Sequence, residues 1–185
     1  GAEVICYDAK GEKKWDYRIQ HRNLYGHEMT HYDADRDGLD EVYISLNGKF
    51  IVLNGDGTLR WSDDTVRNHT DFILCGDVDG DGELEIVYDR NGCDALKGPI
   101  ACVDGGTGKP EKLWNYRRPG VDHLQRATLG DFDPSRPGLE LVAVGKRQIR
   151  GGLVLWSAEE DHLWHKDIPA GWVTWGDWNG DRNPE

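Results

Sequence analysis

The chain has 185 residues, 24 of them glycine, and a formal charge of −12. That length suits one ordinary domain. No stretch approaches the ~18 consecutive apolar residues of a membrane span, and an acidic chain lacks the basic patch of a nucleic-acid binder.

The first expected strands are residues 4–7 and 13–17, joined by the turn Asp8-Ala9-Lys10-Gly11, with Trp15 in the second. The same turn-then-tryptophan unit recurs three times. It is Asn54-Gly55-Asp56-Gly57 before Trp61, Asp104-Gly105-Gly106-Thr107-Gly108 before Trp114, and Ser157-Ala158-Glu159-Glu160 before Trp164. Asn-Gly, Asp-Gly and Gly-Gly pairs make hairpin turns because glycine and asparagine tolerate positive φ. Four of the eight tryptophans therefore share one repeated position, which predicts packing between repeats.

Out of phase with this unit runs an acidic segment. It begins at Asp33, Asp77, Asp131 and Asp177, at spacings of 44, 54 and 46 residues. That period suits a four-stranded blade. Around the second copy the expected strands are 71–75, 85–88, 100–103 and 112–116, and 173–175 is expected to be the last strand of the chain. Period-two alternation in Ile100-Cys102 and Val154-Trp156 supports strands, and no segment sustains a 3.6-residue apolar period. The expected fold is all-β, a β-propeller of four-stranded blades with three full blades and partial ones. The blade-like units fall at about 1–24, 25–68, 69–122, 123–168 and 169–185. A propeller closes on itself to remove sheet edges. The expected context is a seven- or eight-bladed ring whose remainder is the chain's partner, with a closed four-bladed ring as the alternative.

Cys6, Cys75, Cys93 and Cys102 show no CxxC spacing, which argues against a zinc site. Cys6 and Cys102 occupy matching repeat positions and are expected in buried strands, with a disulfide left open.

The acidic segments read as cation loops. Calcium takes six to eight oxygen ligands, which one loop can supply from alternating carboxylates, a glycine for the sharp turn and a closing acid. The second loop offers Asp77, Asp79 and Asp81, then Gly82 and Glu85; the first offers Asp33, Asp35, Asp37 and Glu41. The third offers Asp131, Asp133, Ser135 and Glu140, one residue longer, and the fourth Asp177, Asn179, Asp181 and Glu185. An EF-hand would need an acid at loop position 12, where Ile44 and Tyr88 stand instead. Several Ca2+ ions are expected, and sites of this kind fill best outside the cytosol, so the expected location is secreted, periplasmic or cell surface.

Histidines precede the loops. His69 and His123 each lie eight residues before their loop aspartate, and His27 lies six before Asp33. Two residues of offset keep His27 on the same side of a strand. Equivalent strand starts converge at one mouth of a ring, so His27, His69 and His123 are candidate general bases. Asp71, Asp122, Gln125 and Arg126 lie nearby by the same logic.

The loop Gly76-Asp77-Val78-Asp79-Gly80-Asp81-Gly82 followed by Glu85-Ile86-Val87 resembles FG-GAP-type calcium propeller repeats. Gly130-Asp131-Phe132-Asp133-Pro134-Ser135-Arg136-Pro137-Gly138-Leu139-Glu140 resembles the loop of rhamnogalacturonan lyases of polysaccharide lyase family 11. That resemblance implies a calcium-dependent eight-bladed propeller that cleaves an acidic, pectin-like polysaccharide by β-elimination. His123 matches a family histidine, and Thr128 stands where the family has a second one. Arg126 is then a candidate to neutralise the uronate carboxylate. Two other readings stay open. One is a non-catalytic glycan-binding or adhesion propeller with structural calcium. The other is a quinoprotein-like dehydrogenase, prompted by the Val103-to-Gly108 turn before Trp114.

Overall fold

A computed structural model describes residues 2–20, 26–67, 69–90, 100–114, 124–145, 152–159, 162–169 and 171–177, with backbone alone at 112–114. These residues form strands and turns, with no helix among them. Two strands come first, β1 (Ala2–Tyr7) and β2 (Lys13–Ile19). A first four-stranded sheet follows: β3 (Gly26–Tyr32), β4 (Glu41–Leu46), β5 (Lys49–Leu53) and β6 (Leu59–Asp63). The second comprises β7 (Ile73–Gly76), β8 (Glu85–Asp89), β9 (Ile100–Asp104) and β10 (Pro110–Trp114). The third comprises β11 (Leu124–Gly130), β12 (Glu140–Gly145), β13 (Leu153–Trp156) and β14 (His162–Lys166). Within each sheet the strands pair antiparallel in chain order.

The side-chain pattern explains the stacking. Middle strands such as Glu85–Asp89 and Glu140–Gly145 are buried at every position, whereas β1 and β3 alternate. A strand buried on both faces must lie between two layers. Three apolar cores supply those layers. One, with Ile44, Ile51 and Leu53, joins β1–β2 to the first sheet. The next, with Phe50, Tyr88 and Val103, joins the first sheet to the second. The third, with Val87, Leu141 and Trp156, joins the second to the third. Phe50 and Tyr88 stack across their seam with ring centroids 4.2 Å apart. β7 lies beside both β3 and β11, so the first strands of the three sheets are neighbours.

Two of the repeated tryptophans lock these seams, whereas Trp164, in the same register, is exposed. Trp15 Nε1 donates to the Gly55 carbonyl at 3.0 Å, and Trp61 Nε1 to the Gly105 carbonyl at 3.5 Å. Each ring lies on the turn glycine of the next sheet. A Cβ on Gly57, whose φ is +86°, would sit 2.5 Å from the Trp15 ring. The turn therefore excludes a side chain both for its backbone angle and for the indole above it.

Three details depart from the sequence reading. Ladder pairing in the second sheet begins at Ile73 rather than at residue 71, because the Asp71 amide donates to the Asp89 side-chain carboxylate of β8 at 2.7 Å instead of to a backbone carbonyl. Residues 173–175 form no strand, since no described residue pairs with them. Cys102 is buried but its repeat partner Cys6 is half-exposed, in the β1–β2 layer that is covered on one face; Cys6 and Cys75 are free thiols.

Candidate functional site

Each of the first three acidic loops joins the first strand of a four-stranded sheet to the second. Its closing glutamate is the first residue of that second strand, and the side chain turns back under the loop. Glu41, Glu85 and Glu140 are all buried. Glu41 accepts from the Ala34 amide at 3.1 Å, Glu85 from Val78 at 2.6 Å, and Glu140 from Phe132 and Asp133 at 2.8 and 3.0 Å. The leading aspartate closes the same ring from above, Asp33 accepting from Gly38 at 3.0 Å and Asp77 from Gly82 at 3.1 Å. Gly38 and Gly82 adopt φ of 92° and 96°, which explains the glycine at that loop position.

The loops gather their acids unequally. Ligand oxygens of Asp33, Asp35 and Asp37 lie within 4.8 Å of one another, as do those of Asp77, Asp79 and Glu85. Glu41 and Asp81 stand outside these two groups. In the third loop Asp133 turns to Ser135 and to Arg136, whose Nε is 3.3 Å away, and no group of three forms among the described residues. In the fourth loop Asp177 is exposed; Asn179, Asp181 and Glu185 lie outside the described residues.

Two observations fit the first two loops to a metal ion. The Asp33 Oδ1 atom is buried and has no hydrogen-bond partner, and such an atom is costly unless something coordinates it. In the second loop Glu85 is pushed up to about 7 by burial, with Glu111, Asp79 and Asp81 adding to the rise against the Val78 hydrogen bond. A cation relieves that crowding. All-oxygen donor sets suit a hard ion such as calcium. The first loop already holds a cation of its own: Arg60 reaches over from β6 to Asp35 at 2.7 Å and Glu41 at 3.4 Å. It also donates to the Gly106 carbonyl at 2.6 Å, in the turn of the next sheet.

A second cluster lies at the opposite ends of the same first strands. His27 is the second residue of β3, His69 and Asp71 precede β7, and Arg126 lies near the start of β11. His27 and His69 stack with centroids 4.2 Å apart. The buried Asp71 carboxylate is 3.6 Å from His27 Nδ1 and 3.4 Å from His69 Nε2. The three residues form a potential metal-holding group, and two imidazoles with one carboxylate suit a zinc-like ion better than calcium. Arg126 Nη1 donates to the Asp71 carbonyl at 2.7 Å and the Gln125 carbonyl at 2.9 Å. The segment is pinned, since the Thr70 amide donates to Ser45 Oγ at 3.0 Å and the Thr70 hydroxyl to the Asp89 carbonyl at 2.9 Å. Six extended residues separate His27 from Asp33, so this cluster and the acidic loops stand roughly 20 Å apart.

The sequence reading thus placed His27, His69 and Arg126 together; His123 lies outside the described residues. It missed Arg60, and it named Asp71 only as a neighbour. The signal for Asp71 was there in His69-Thr70-Asp71, because two residues of spacing put both side chains on one side of an extended chain. No local pattern betrays Arg60, whose partners come from a different loop and a different sheet.

No family model and no curated protein matches the chain. Solved structures do. A PL11 rhamnogalacturonan lyase from Bacillus licheniformis superposes with a TM-score of 0.60 at 18% identity, over 86% of this chain and 39% of that one. The rhamnogalacturonan lyase YesW gives 0.60 at 19%, over 98% and 41%. The C-terminal domain of Pseudomonas aeruginosa PilY1 gives 0.60 at 13%, over 84% and 38%. The chain spans about two fifths of the length of these proteins. At such identities the likeness is one of fold, related to that of rhamnogalacturonan lyases.

Proposed function

We propose that this chain is part of a secreted or surface-located β-propeller, completed by the remainder of its own ring, that cleaves a uronic-acid-containing polysaccharide by β-elimination. The observation that carries the reading is the convergence of His27, His69, Asp71 and Arg126 where three neighbouring first strands begin. Stacked sheets with adjacent first strands are the arrangement of propeller blades, and the lyase structures of related fold supply the substrate class, a rhamnogalacturonan or pectin-like glycan.

Calcium belongs to the acidic loops in this reading. Asp33, Asp35 and Asp37 would hold it in the first, and Asp77, Asp79 and Glu85 in the second. Bound there it supplies charge neutralisation that keeps the loops closed. Those loops are too far from the histidines to touch the same sugar. The positive charge at the chemistry therefore comes from Arg126, which faces the uronate carboxylate and makes the neighbouring C5 proton more acidic. A ring nitrogen of His69 or His27 takes that proton. The freed electron pair forms the C4=C5 double bond, the C4–O bond breaks, and the departing oxygen takes a proton from solvent water. Asp71 holds both imidazoles in place. This arrangement also answers how a chain of charge −12 can take an anionic substrate, since the arginine stands at the cluster itself.

The test is the ultraviolet absorbance of the unsaturated product when the full-length protein is mixed with rhamnogalacturonan. A rise that falls by about 100-fold or more in His69→Ala supports the reading. No rise with any uronic-acid polymer sinks it. The equal likeness to the PilY1 domain, which is not named as a lyase, keeps a second reading in play, a glycan-binding or adhesion propeller, and retained polymer binding without product would establish that one.

A further inference from the structure

The second acidic loop is fastened on both sides of one residue. Val78 stands between Asp77 and Asp79, two of the three acids gathered there. Its amide donates to Glu85, the third, at 2.6 Å. Its carbonyl accepts from the Leu139 amide at 2.9 Å, and Leu139 belongs to the third loop, in the next sheet. The amide lies in the peptide plane shared with Asp77 and the carbonyl in the plane shared with Asp79. Two hydrogen bonds therefore fix both planes next to the flanking carboxylates.

The contact depends on close approach. Val78 is fully buried, in the apolar core between the second and third sheets, and Leu139 packs against that core. Gly138 has a φ of +81°, and a Cβ there would sit 2.2 Å from the Val78 carbonyl oxygen and 2.8 Å from Ala158 Cβ. Only glycine lets the third loop reach the second in this way. The third loop brings internal ties of its own. Glu140 accepts from the Phe132 and Asp133 amides, and Asp133 turns to Ser135 and Arg136. It is a braced support for its neighbour rather than a rival for the ion. The first loop is not fastened to the second like this. Ala34 bonds Glu41 as Val78 bonds Glu85, but among the described residues no backbone hydrogen bond joins the first loop to the second.

We propose that Gly138 and Leu139 of the third loop position the calcium site of the second, so that an ion held by Asp77, Asp79 and Glu85 also tightens the third loop. The inference rests on the calcium reading of the second loop, but it makes a separate demand. Affinity in one sheet must depend on a residue of the next sheet that offers no ligand. Coupling of binding free energies is reciprocal, so the ion must in turn protect the Leu139 amide.

Hydrogen exchange of the full-length protein across a calcium titration reads each loop separately, from peptides covering 33–41, 77–85 and 131–140. In the parent, calcium should slow exchange in 77–85 and 131–140 with one shared midpoint. Gly138→Ala should raise the midpoint of 77–85 about tenfold, a loss typical of an outer support of a metal site. It should leave 33–41 where it was and uncouple 131–140. Gly11→Ala imposes the same backbone strain, at a φ of +81°, where no atom lies within 4 Å of the new Cβ, and should move no midpoint. Glu85→Gln, a change in the second loop alone, should shift the midpoint of 131–140 by the same factor as that of 77–85. That variant and the parent titration decide the matter if Gly138→Ala does not fold. Separate midpoints for 77–85 and 131–140 in the parent overturn the proposal. So does an unmoved 77–85 midpoint in folded Gly138→Ala, or a 33–41 midpoint that rises as far. Each of these outcomes leaves calcium in the second loop standing, whereas the lack of any calcium response in 77–85 sinks both.

Discussion

The first and second acidic loops share a spacing, a glycine in the left-handed region and a buried closing glutamate, yet they balance their charge differently. In the first, Arg60 brings a guanidinium to 2.7 Å from Asp35 and 3.4 Å from Glu41. In the second, the residue at the same place before the repeat tryptophan is Leu113, and Glu85 sits at about 7 under burial and the nearby negative charges. The backbone geometry of such a loop therefore does not depend on which cation serves it. One copy carries part of its counter-charge in the fold, tied to the next sheet through the Gly106 carbonyl. In the other, none of the groups that move Glu85 most is a cation. The second loop should bind calcium more tightly, and the first should contribute more to the metal-free fold.

Removing the built-in cation is the strongest way to break this contrast. Arg60→Met leaves Glu41 buried beside Asp35 without its counter-charge and also frees the Gly106 carbonyl. Breaking a well-buried pair costs about 3–5 kcal/mol. Arg60 keeps some contact with water, so about 2 kcal/mol is expected here, or a fall of about 4–8 °C in Tm. Thermal melts in chelator should show the full loss, and added calcium should recover part of it as the first loop comes to rely on the ion. A melt unchanged in chelator would mean that the arginine contributes nothing and that the two loops are equivalent.

How much of this was legible follows from what is local in sequence. The strands and their turns could be read because alternation and Asn-Gly or Gly-Gly pairs act within a few residues. The loops could be read for the same reason, and so could the shared register of His27 and His69. Four ligands per loop could not be assigned from spacing alone. Whether Glu41 or Asp81 joins the others depends on where Arg60 and the loop amides pull each carboxylate. Trp15 and Trp61 do pack between repeats, whereas Trp164 in the same register is exposed, so what lies across a seam is not written in the local pattern. The same holds for Arg60. Its partners, Asp35, Glu41 and Gly106, are scattered over two sheets, and nothing around residue 60 marks it as different from Leu113 or Leu163.

A smaller effect separates the loops by charge alone. Glu85→Gln keeps an acceptor for the Val78 amide and deletes the crowded charge, so in chelator at alkaline pH it should stabilise by about 1 kcal/mol. Glu41→Gln deletes a charge that Arg60 uses and should destabilise by a similar amount. Chemical denaturation of the two variants beside the parent reads the sign directly. Two shifts in the same direction would mean that Arg60 does not compensate Glu41.

The least effect should appear in the pH dependence of the metal-free parent. Glu85 titrates at about 7 in the fold against an ordinary 4.5, so the folded state holds its proton more tightly than the unfolded chain does. Where the folded state binds more protons, stability falls as pH rises. The contribution is complete below pH 4.5 and is lost as pH climbs through about 7. Denaturation midpoints in chelator should therefore decline across that window. The decline should be absent in Glu85→Gln, and calcium should flatten it in the parent by favouring the ionised carboxylate. Glu41 is also raised by burial, but the Ala34 amide and Arg60 oppose the rise, so Glu41→Gln should leave most of the slope in place. If instead Glu41→Gln removes the slope and Glu85→Gln leaves it, the uncompensated charge lies in the first loop, and the order of calcium affinity argued from Arg60 reverses with it.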